Sequence, residues 1–174
     1  MTCRLHKIFI LGDAGVGKSS FISRYINDQC TDSYKATIGA DFYVKDMRDN
    51  GDGDVLQIWD ISGPDGCGVG YKSADAWVLM YDLNSPESLQ NLEAYYRQVC
   101  SVFNTDIPCV VVGNKLDLIP KGAKEVLPSL PFHLRDMPHF CASAKDKINI
   151  DMIFQELITL CNLRAAPAQC SKPT

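Results

Sequence analysis

The fold of this chain is decided by one stretch, Gly12-Asp13-Ala14-Gly15-Val16-Gly17-Lys18-Ser19, which has the pattern G-x-x-x-x-G-K-S. An apolar run at 7–11 precedes it and predicts a buried strand, while apolar residues at helical spacing over 21–26 follow it. Glycines let backbone N–H groups surround phosphate oxygens, and a following helix directs its positive end to the same anion. In this strand–loop–helix context the motif predicts a phosphate-binding loop, and a chance glycine-rich turn is the weaker alternative.

The loop also supplies side chains for a nucleoside triphosphate and its metal. Lys18 is expected to reach the β- and γ-phosphates, and the Ser19 hydroxyl is expected to ligate Mg²⁺. The remaining residues predicted to contact the nucleotide are Asp13, Ala14, Gly15, Val16, Gly17 and Ser20.

Length and composition predict one globular domain over residues 1–164, followed by a polar, flexible tail over 165–174. The chain has 174 residues, of which 46% are hydrophobic, so it can bury a core without disulfides. A net charge of −4 argues against nucleic acid as a partner. No signal peptide or run of membrane-spanning length is visible, which favours a cytoplasmic protein.

Cysteine and histidine usage predicts no metal centre. The eight cysteines are scattered without a C-x-x-C pair, which is typical of reduced cysteines acting as small hydrophobic residues. His6, His133 and His139 lack metal-ligand spacing and are interpreted as structural.

Strand-like and helical segments alternate along the chain. Asn50-Gly51 lies between strand-like runs at 41–48 and 55–61 and indicates a hairpin. Continuous apolar runs at 76–81 and 108–112 are typical of parallel strands buried on both faces. Amphipathic helices are predicted over 86–103 and 150–161, a short strand at 139–141, and at most a short helix between prolines 120 and 138. The predicted fold is α/β, a mostly parallel six-stranded sheet with one antiparallel edge strand and helices on both faces.

Two later motifs select the nucleotide base. Asn114-Lys115-Leu116-Asp117 follows the strand at 108–112, and Ser143-Ala144-Lys145 follows the strand at 139–141. A carboxylate at Asp117 can accept hydrogen bonds from both N1–H and the amino group of guanine. Adenine lacks this donor pair and would leave the carboxylate unpaired. The order of the motifs therefore predicts guanine-nucleotide binding.

These motifs make residues 5–163 resemble the Ras superfamily of small GTPases, and its Rab branch in particular. Residues 34–42, Tyr-Lys-Ala-Thr-Ile-Gly-Ala-Asp-Phe, are similar to the first Rab switch, and residues 59–63, Trp-Asp-Ile-Ser-Gly, to the second. The resemblance implies that Thr37 ligates Mg²⁺ and contacts the γ-phosphate, that Asp60 holds Mg²⁺ through water, and that Gly63 senses the γ-phosphate. It thus implies a catalytic set of Lys18, Thr37 and Gly63.

The resemblance also implies protein partners. Phe42 and Trp59 match two aromatic residues that Rab proteins show to effectors, although each taken alone is equally well explained as core. Effectors, an exchange factor and a GTPase-activating protein are the partners expected of a monomeric Rab-like switch.

Two residues and one segment depart from the family pattern. Pro64 replaces the glutamine that orients the attacking water, and proline offers neither an amide side chain nor a backbone N–H. The segment 63–71 is glycine-rich and shorter than the usual second switch. Cys30 occupies the position of an aromatic residue that stacks on guanine, unless Tyr34 takes over this role. We therefore expect weak hydrolysis and altered partner recognition.

The sequence favours a Rab-like GTPase in vesicle traffic, with GTP or GDP and Mg²⁺ as cofactors and slow hydrolysis. One alternative is a pseudo-GTPase that serves as a nucleotide-bound structural subunit, and a less favoured one is an ATP-using P-loop enzyme. The chain ends Cys170-Ser171-Lys172-Pro173-Thr174, which is not a prenylation box, so peripheral membrane attachment stays an open expectation.

Overall fold

The computed structural model describes residues 3–29, 39–48, 53–61, 73–102, 107–120 and 127–165. The strands are β1 (Cys3–Leu11), β2 (Ala40–Asp46), β3 (Gly53–Ile61), β4 (Ala76–Asp82), β5 (Cys109–Asn114) and β6 (His139–Cys141). The helices are α1 (Lys18–Asn27), α2 (Pro86–Val102) and α3 (Ile150–Ala165), with short 3₁₀ turns at Leu116–Leu118 and Phe132–Leu134.

The strands form one six-stranded sheet in the spatial order β2-β3-β1-β4-β5-β6. β2 pairs antiparallel with β3, and the other neighbouring strands pair in parallel. The predicted α/β sheet with one antiparallel edge strand is thus confirmed. The turn predicted at Asn50-Gly51 lies outside the described residues.

Two apolar cores cover the two faces of the sheet. Because side chains alternate along a strand, Ile8 and Ile10 of β1 face one core while Phe9 and Leu11 face the other. The first core packs against α1 and α3 and includes Phe154. The second core packs against α2. The central strands are therefore buried on both faces, which explains their continuous apolar sequences.

Local sequence signals set the helix boundaries. α1 (Lys18–Asn27) lies between Gly17 and Asp28, and both of these flanking residues have left-handed backbones. Ser85 caps α2 by accepting a hydrogen bond from the Ser88 backbone N–H at 3.3 Å. α3 continues to Ala165, one residue into the predicted tail, and residues 166–174 lie outside the described residues.

Candidate nucleotide-binding site

The loop between β1 and α1 has a backbone that only glycine fits at two positions. Gly12 has a φ of +151°, and a Cβ there would overlap the carbonyl oxygen of Met80. Gly17 has a φ of +97°, and a Cβ there would overlap the side-chain amide of Asn114. These glycines therefore allow the loop to pack directly against β4 and β5.

Lys18 lies inside this loop at the start of α1. Its side chain is buried, and the Nζ atom donates hydrogen bonds to the carbonyl oxygens of Gly12 at 2.7 Å and Asp13 at 2.9 Å. Burial lowers the pKa of Lys18, and the nearby Asp60 and Asp13 carboxylates oppose that shift. The ammonium group is thus held at the N-terminus of α1, where the helix dipole favours an anion.

Ser19 and Asp60 provide oxygen atoms beside the loop. The Ser19 hydroxyl donates a hydrogen bond to the Asp60 carboxylate, which is fully buried at the end of β3. A hydroxyl and a carboxylate are hard donors of the type that Mg²⁺ prefers, so these residues fit the implied metal. Thr37 and Gly63, the other implied switch residues, lie outside the described residues.

Asn114 joins the two motifs predicted to bind guanine to the phosphate-binding loop. It is fully buried at the end of β5, where its Nδ2 donates to the carbonyl oxygen of Val16 at 2.9 Å. Its Oδ1 accepts a hydrogen bond from the backbone N–H of Ala144 at 3.2 Å. Three segments that are distant in sequence are therefore brought together at the carboxyl ends of the strands, the usual place for a ligand in such sheets.

Asp117 is also held in place by this cluster. Its Oδ1 accepts a hydrogen bond from the Ser143 hydroxyl at 2.7 Å, and the same hydroxyl oxygen accepts the Asp146 backbone N–H at 3.0 Å. Ser143 is buried, whereas Asp117 is only partly so. The carboxylate thus has a fixed orientation and keeps a second oxygen for a base.

Lys115 extends this cluster toward β4. It has a left-handed backbone with a φ of 65°, and its Nζ pairs with Asp82 at 2.8 Å. Burial raises the pKa of Asp82, but hydrogen bonds from Lys115 and Asn84 outweigh it and hold that pKa below its usual value. The ion pair thus fastens the loop after β5 to the end of β4.

Sequence reasoning missed three residues that support this site. Arg24 of α1 donates to the backbone carbonyl oxygens of Ala144 at 2.9 Å and Lys145 at 3.0 Å. Asn91 and Tyr95 of α2 donate to the Asp13 carboxylate. These contacts join helices to loops far away in the chain, so no local pattern identifies them.

A second feature is an exposed aromatic stack on the edge of the sheet. Phe42 of β2 is 57% exposed and stacks on Trp59 of β3, with ring centroids 5.3 Å apart. Trp59 in turn stacks on Phe9 at 5.6 Å, and the Lys7 ammonium lies 4.8 Å from the Trp59 ring. Of the two interpretations that the sequence left open for Phe42, a surface residue or a core residue, the structure shows the surface residue.

The same face of the sheet exposes further apolar side chains. Val44 lies two residues along β2 from Phe42 and is 49% exposed, and Leu5 of β1 is 56% exposed. The strand register places both on the side that carries Trp59. Phe42, Val44, Trp59, Leu5 and Lys7 are called the open sheet face below.

The described residues contain no cluster suited to a metal other than the Ser19–Asp60 pair, because no three histidine, cysteine or acidic side chains converge. His6 instead pairs with Asp54 at 3.0 Å and His139 with the Tyr81 hydroxyl at 2.9 Å. No helix in the described ranges combines the length and apolar character needed to cross a bilayer.

The loop after β1 and the polar residues at the ends of β3, β5 and β6 come together at the carboxyl ends of the parallel strands. This fold and this site define a P-loop nucleotide-binding protein. A sequence model of the Ras family matches residues 7–162. The chain belongs to the Ras family, and its relatives make it a Rab-like small GTPase.

Three relatives illustrate that placement. The chain is 38% identical to "Ypt/Rab-type GTPase YPT7" of Saccharomyces cerevisiae, over 87% of this chain and 78% of the relative. It is 38% identical to "Ras-related protein Rab7" of Pisum sativum, over 88% and 80% of the two chains. "Ras-related protein Rab7" of Drosophila melanogaster is also 38% identical, over 87% and 77%.

Proposed function

We propose that this protein is a guanine-nucleotide switch of the Rab type that hydrolyses GTP slowly and acts in membrane traffic. The observation that carries the proposal is the double hydrogen bonding of Asn114, which joins the phosphate-binding loop to the segment Ser143-Ala144-Lys145. A phosphate site and a base site coupled in this way suit a single nucleotide lying across the ends of β1, β5 and β6.

The phosphate side of the site is assigned to the loop and to α1. Backbone N–H groups of residues 13–20 would surround the phosphates, and Lys18 would add its positive charge. Ser19, Asp60 and Thr37 are the residues that would hold Mg²⁺, which when bound neutralises charge on the β- and γ-phosphates.

The base side is assigned to Asp117, supported by Asn114, Lys115 and residues 143–145. The Ser143 hydroxyl engages one oxygen of Asp117 and so orients the carboxylate toward the donor pair of guanine. ATP-dependent chemistry is disfavoured because adenine presents no matching pair of donors.

Slow hydrolysis is expected because Pro64, the residue after Gly63, replaces the glutamine of the family pattern. Charge stabilisation by Lys18 and the metal ligands is retained, but Pro64 provides no group to orient the attacking water. The protein should therefore stay in the GTP state once it is loaded.

Single-turnover hydrolysis of the wild type and of Pro64→Gln tests this proposal. We expect the glutamine variant to hydrolyse GTP faster, with unchanged GDP affinity as the control that the site is intact. Equal rates in the two proteins would mean that another residue orients the water, and the proposed slow switch would be wrong.

A second candidate function is a structural subunit that holds its nucleotide permanently. The substitution at Pro64 and the short glycine-rich segment 63–71 favour this candidate, because both remove parts of a working switch. Exchange of the co-purified nucleotide separates the two functions: a nucleotide that never exchanges supports the subunit, and a dissociable one supports the switch.

The open sheet face is the surface that we assign to effector binding. Its exposed aromatic and aliphatic side chains around one lysine resemble the apolar centre of a protein interface. We assign peripheral association with an intracellular membrane to partners bound at this surface.

A further inference from the structure

Asp13 is the charged residue within the loop segment 12–17, and its carboxylate is held by one helix. Oδ2 accepts a hydrogen bond from Asn91 Nδ2 at 2.8 Å, and Oδ1 accepts one from the Tyr95 hydroxyl at 3.1 Å. Both oxygens of a carboxylate in the phosphate-binding loop therefore have donors from α2.

The helix that provides these donors is a rigid support. Asn91 and Tyr95 are four residues apart and so lie on the same face of α2. Leu92 and Tyr95 are buried in the core beneath the sheet. The Ser88 hydroxyl oxygen accepts a hydrogen bond from the Asp82 backbone N–H at 3.0 Å, which fixes the start of the helix to β4. The positions of the two donors are thus set by the fold.

The backbone of Asp13 is engaged as well. Its carbonyl oxygen accepts a hydrogen bond from Lys18 Nζ at 2.9 Å, so Asp13 connects α2 to the phosphate-binding lysine. Lys18 faces Asp13 from α1, and Asn91 and Tyr95 face it from α2. A carboxylate beside a polyphosphate repels it, and two donors both orient that carboxylate toward α2 and stabilise its charge.

We propose that Asn91 and Tyr95 are positioning residues that hold the phosphate-binding loop through Asp13 and so slow the release of the nucleotide. The proposal rests on the proposed function, because it requires that this loop bind a guanine nucleotide. Asn114 of β5 also holds the loop, at Val16, so α2 and β5 together fix it at two points.

Release of a fluorescent GDP analogue from Tyr95→Phe tests one donor. Losing a hydrogen bond to a charged group should speed release about tenfold. The matched control is Tyr96→Phe, the next residue on α2, whose hydroxyl contacts Cys100 and not the loop. The control should release the analogue at the wild-type rate.

Asn91→Asp tests whether the interaction acts through the Asp13 carboxylate. It sets two carboxylates against each other, so release should be about tenfold faster than in the wild type. The double variant D13N/N91D exchanges donor and acceptor and should restore slow release. A helix that was merely loosened would not show this rescue.

The outcomes separate this proposal from the proposed function. If the wild type binds GDP while Tyr95→Phe and Asn91→Asp release it at the wild-type rate, the positioning role is wrong and the switch stands. If the wild type does not bind GDP at all, both are wrong. Should Asn91→Asp fail to fold, the difference between Tyr95→Phe and Tyr96→Phe decides the matter.

Discussion

In most proteins polar side chains are exposed and large apolar side chains are buried. The nucleotide site and the open sheet face each depart from this distribution, but in opposite directions. In the site, polar side chains are buried, and Asn114 is only 1% exposed. On the open sheet face, large apolar side chains face water, and Phe42 is 57% exposed. Buried polar groups require partners inside the protein, whereas exposed apolar groups gain most from a partner outside it.

Contacts in the nucleotide site contribute to folding and nucleotide binding, whereas the open sheet face is suited to contribute to binding of a partner. Hydrogen bonds at the site, such as those of Asn114 to Val16 and Ala144, join distant segments, so a change there costs stability and nucleotide affinity. Phe42 contacts the sheet on one side only, so its loss should affect binding of a partner more than folding.

The largest effect is expected from Gly12→Ala. A Cβ at position 12 would strike the Met80 carbonyl group on a backbone that alanine rarely adopts, so unfolding free energy should fall by about 3 kcal/mol. Gly15→Ala is the matched control, because its φ is also positive, +80°, but no atom lies within 4 Å of the added Cβ. Urea unfolding should show a loss of only about 1 kcal/mol for the control, and equal losses would contradict the packing argument.

The next effect concerns base recognition by Asp117. Asp117→Asn should weaken GDP binding by about 1.5–3 kcal/mol and favour xanthine nucleotides, whose ring carries a carbonyl where guanine carries an amino group. Asp146→Asn is the control, since Asp146 contacts Ser143 through its backbone alone in the described hydrogen bonds. Isothermal titration with GDP, XDP and ADP measures the preference. Wild-type affinity for ADP equal to that for GDP would exclude guanine specificity.

A smaller change in stability is expected on the open sheet face. Phe42→Ala loses an aromatic stacking contact with Trp59 and should cost under about 1 kcal/mol of stability. It should nevertheless remove binding of an effector protein in a pull-down with GTP-loaded protein. Met152→Ala, an exposed apolar residue on α3, should leave that binding unchanged. Loss of binding in both variants would argue against a specific surface.

The smallest effect is a pH dependence at His139. Burial lowers the pKa of His139 in the folded protein, so the neutral ring stabilises the fold above its ordinary pKa of about 6.5, and this contribution is lost as pH falls. His139→Gln should flatten the decline in unfolding free energy below that pH. His133→Gln, at an exposed position, should retain it. The same slope in all three proteins would show that other groups cause it.

Much of the fold, and the placing of the loop and guanine motifs directly after their strands, were predictable because local patterns encode them. The phosphate-binding loop, the N-cap of α2 and the buried strands depend on residues adjacent in sequence. The exposure of Phe42 was not predictable, because an aromatic residue in a strand fits a core and a surface equally well until the register and the edge position of β2 are known.

The sequence alone determined the nucleotide class, since glycines, a lysine and a carboxylate at fixed spacings leave few other chemistries. Only the tertiary structure decided how those motifs support one another. Asn91 and Tyr95 reach Asp13, and Arg24 reaches Ala144, across long stretches of chain. Such contacts depend on which helix packs on which face of the sheet, and that is fixed by burial of whole apolar faces and not by any local spacing.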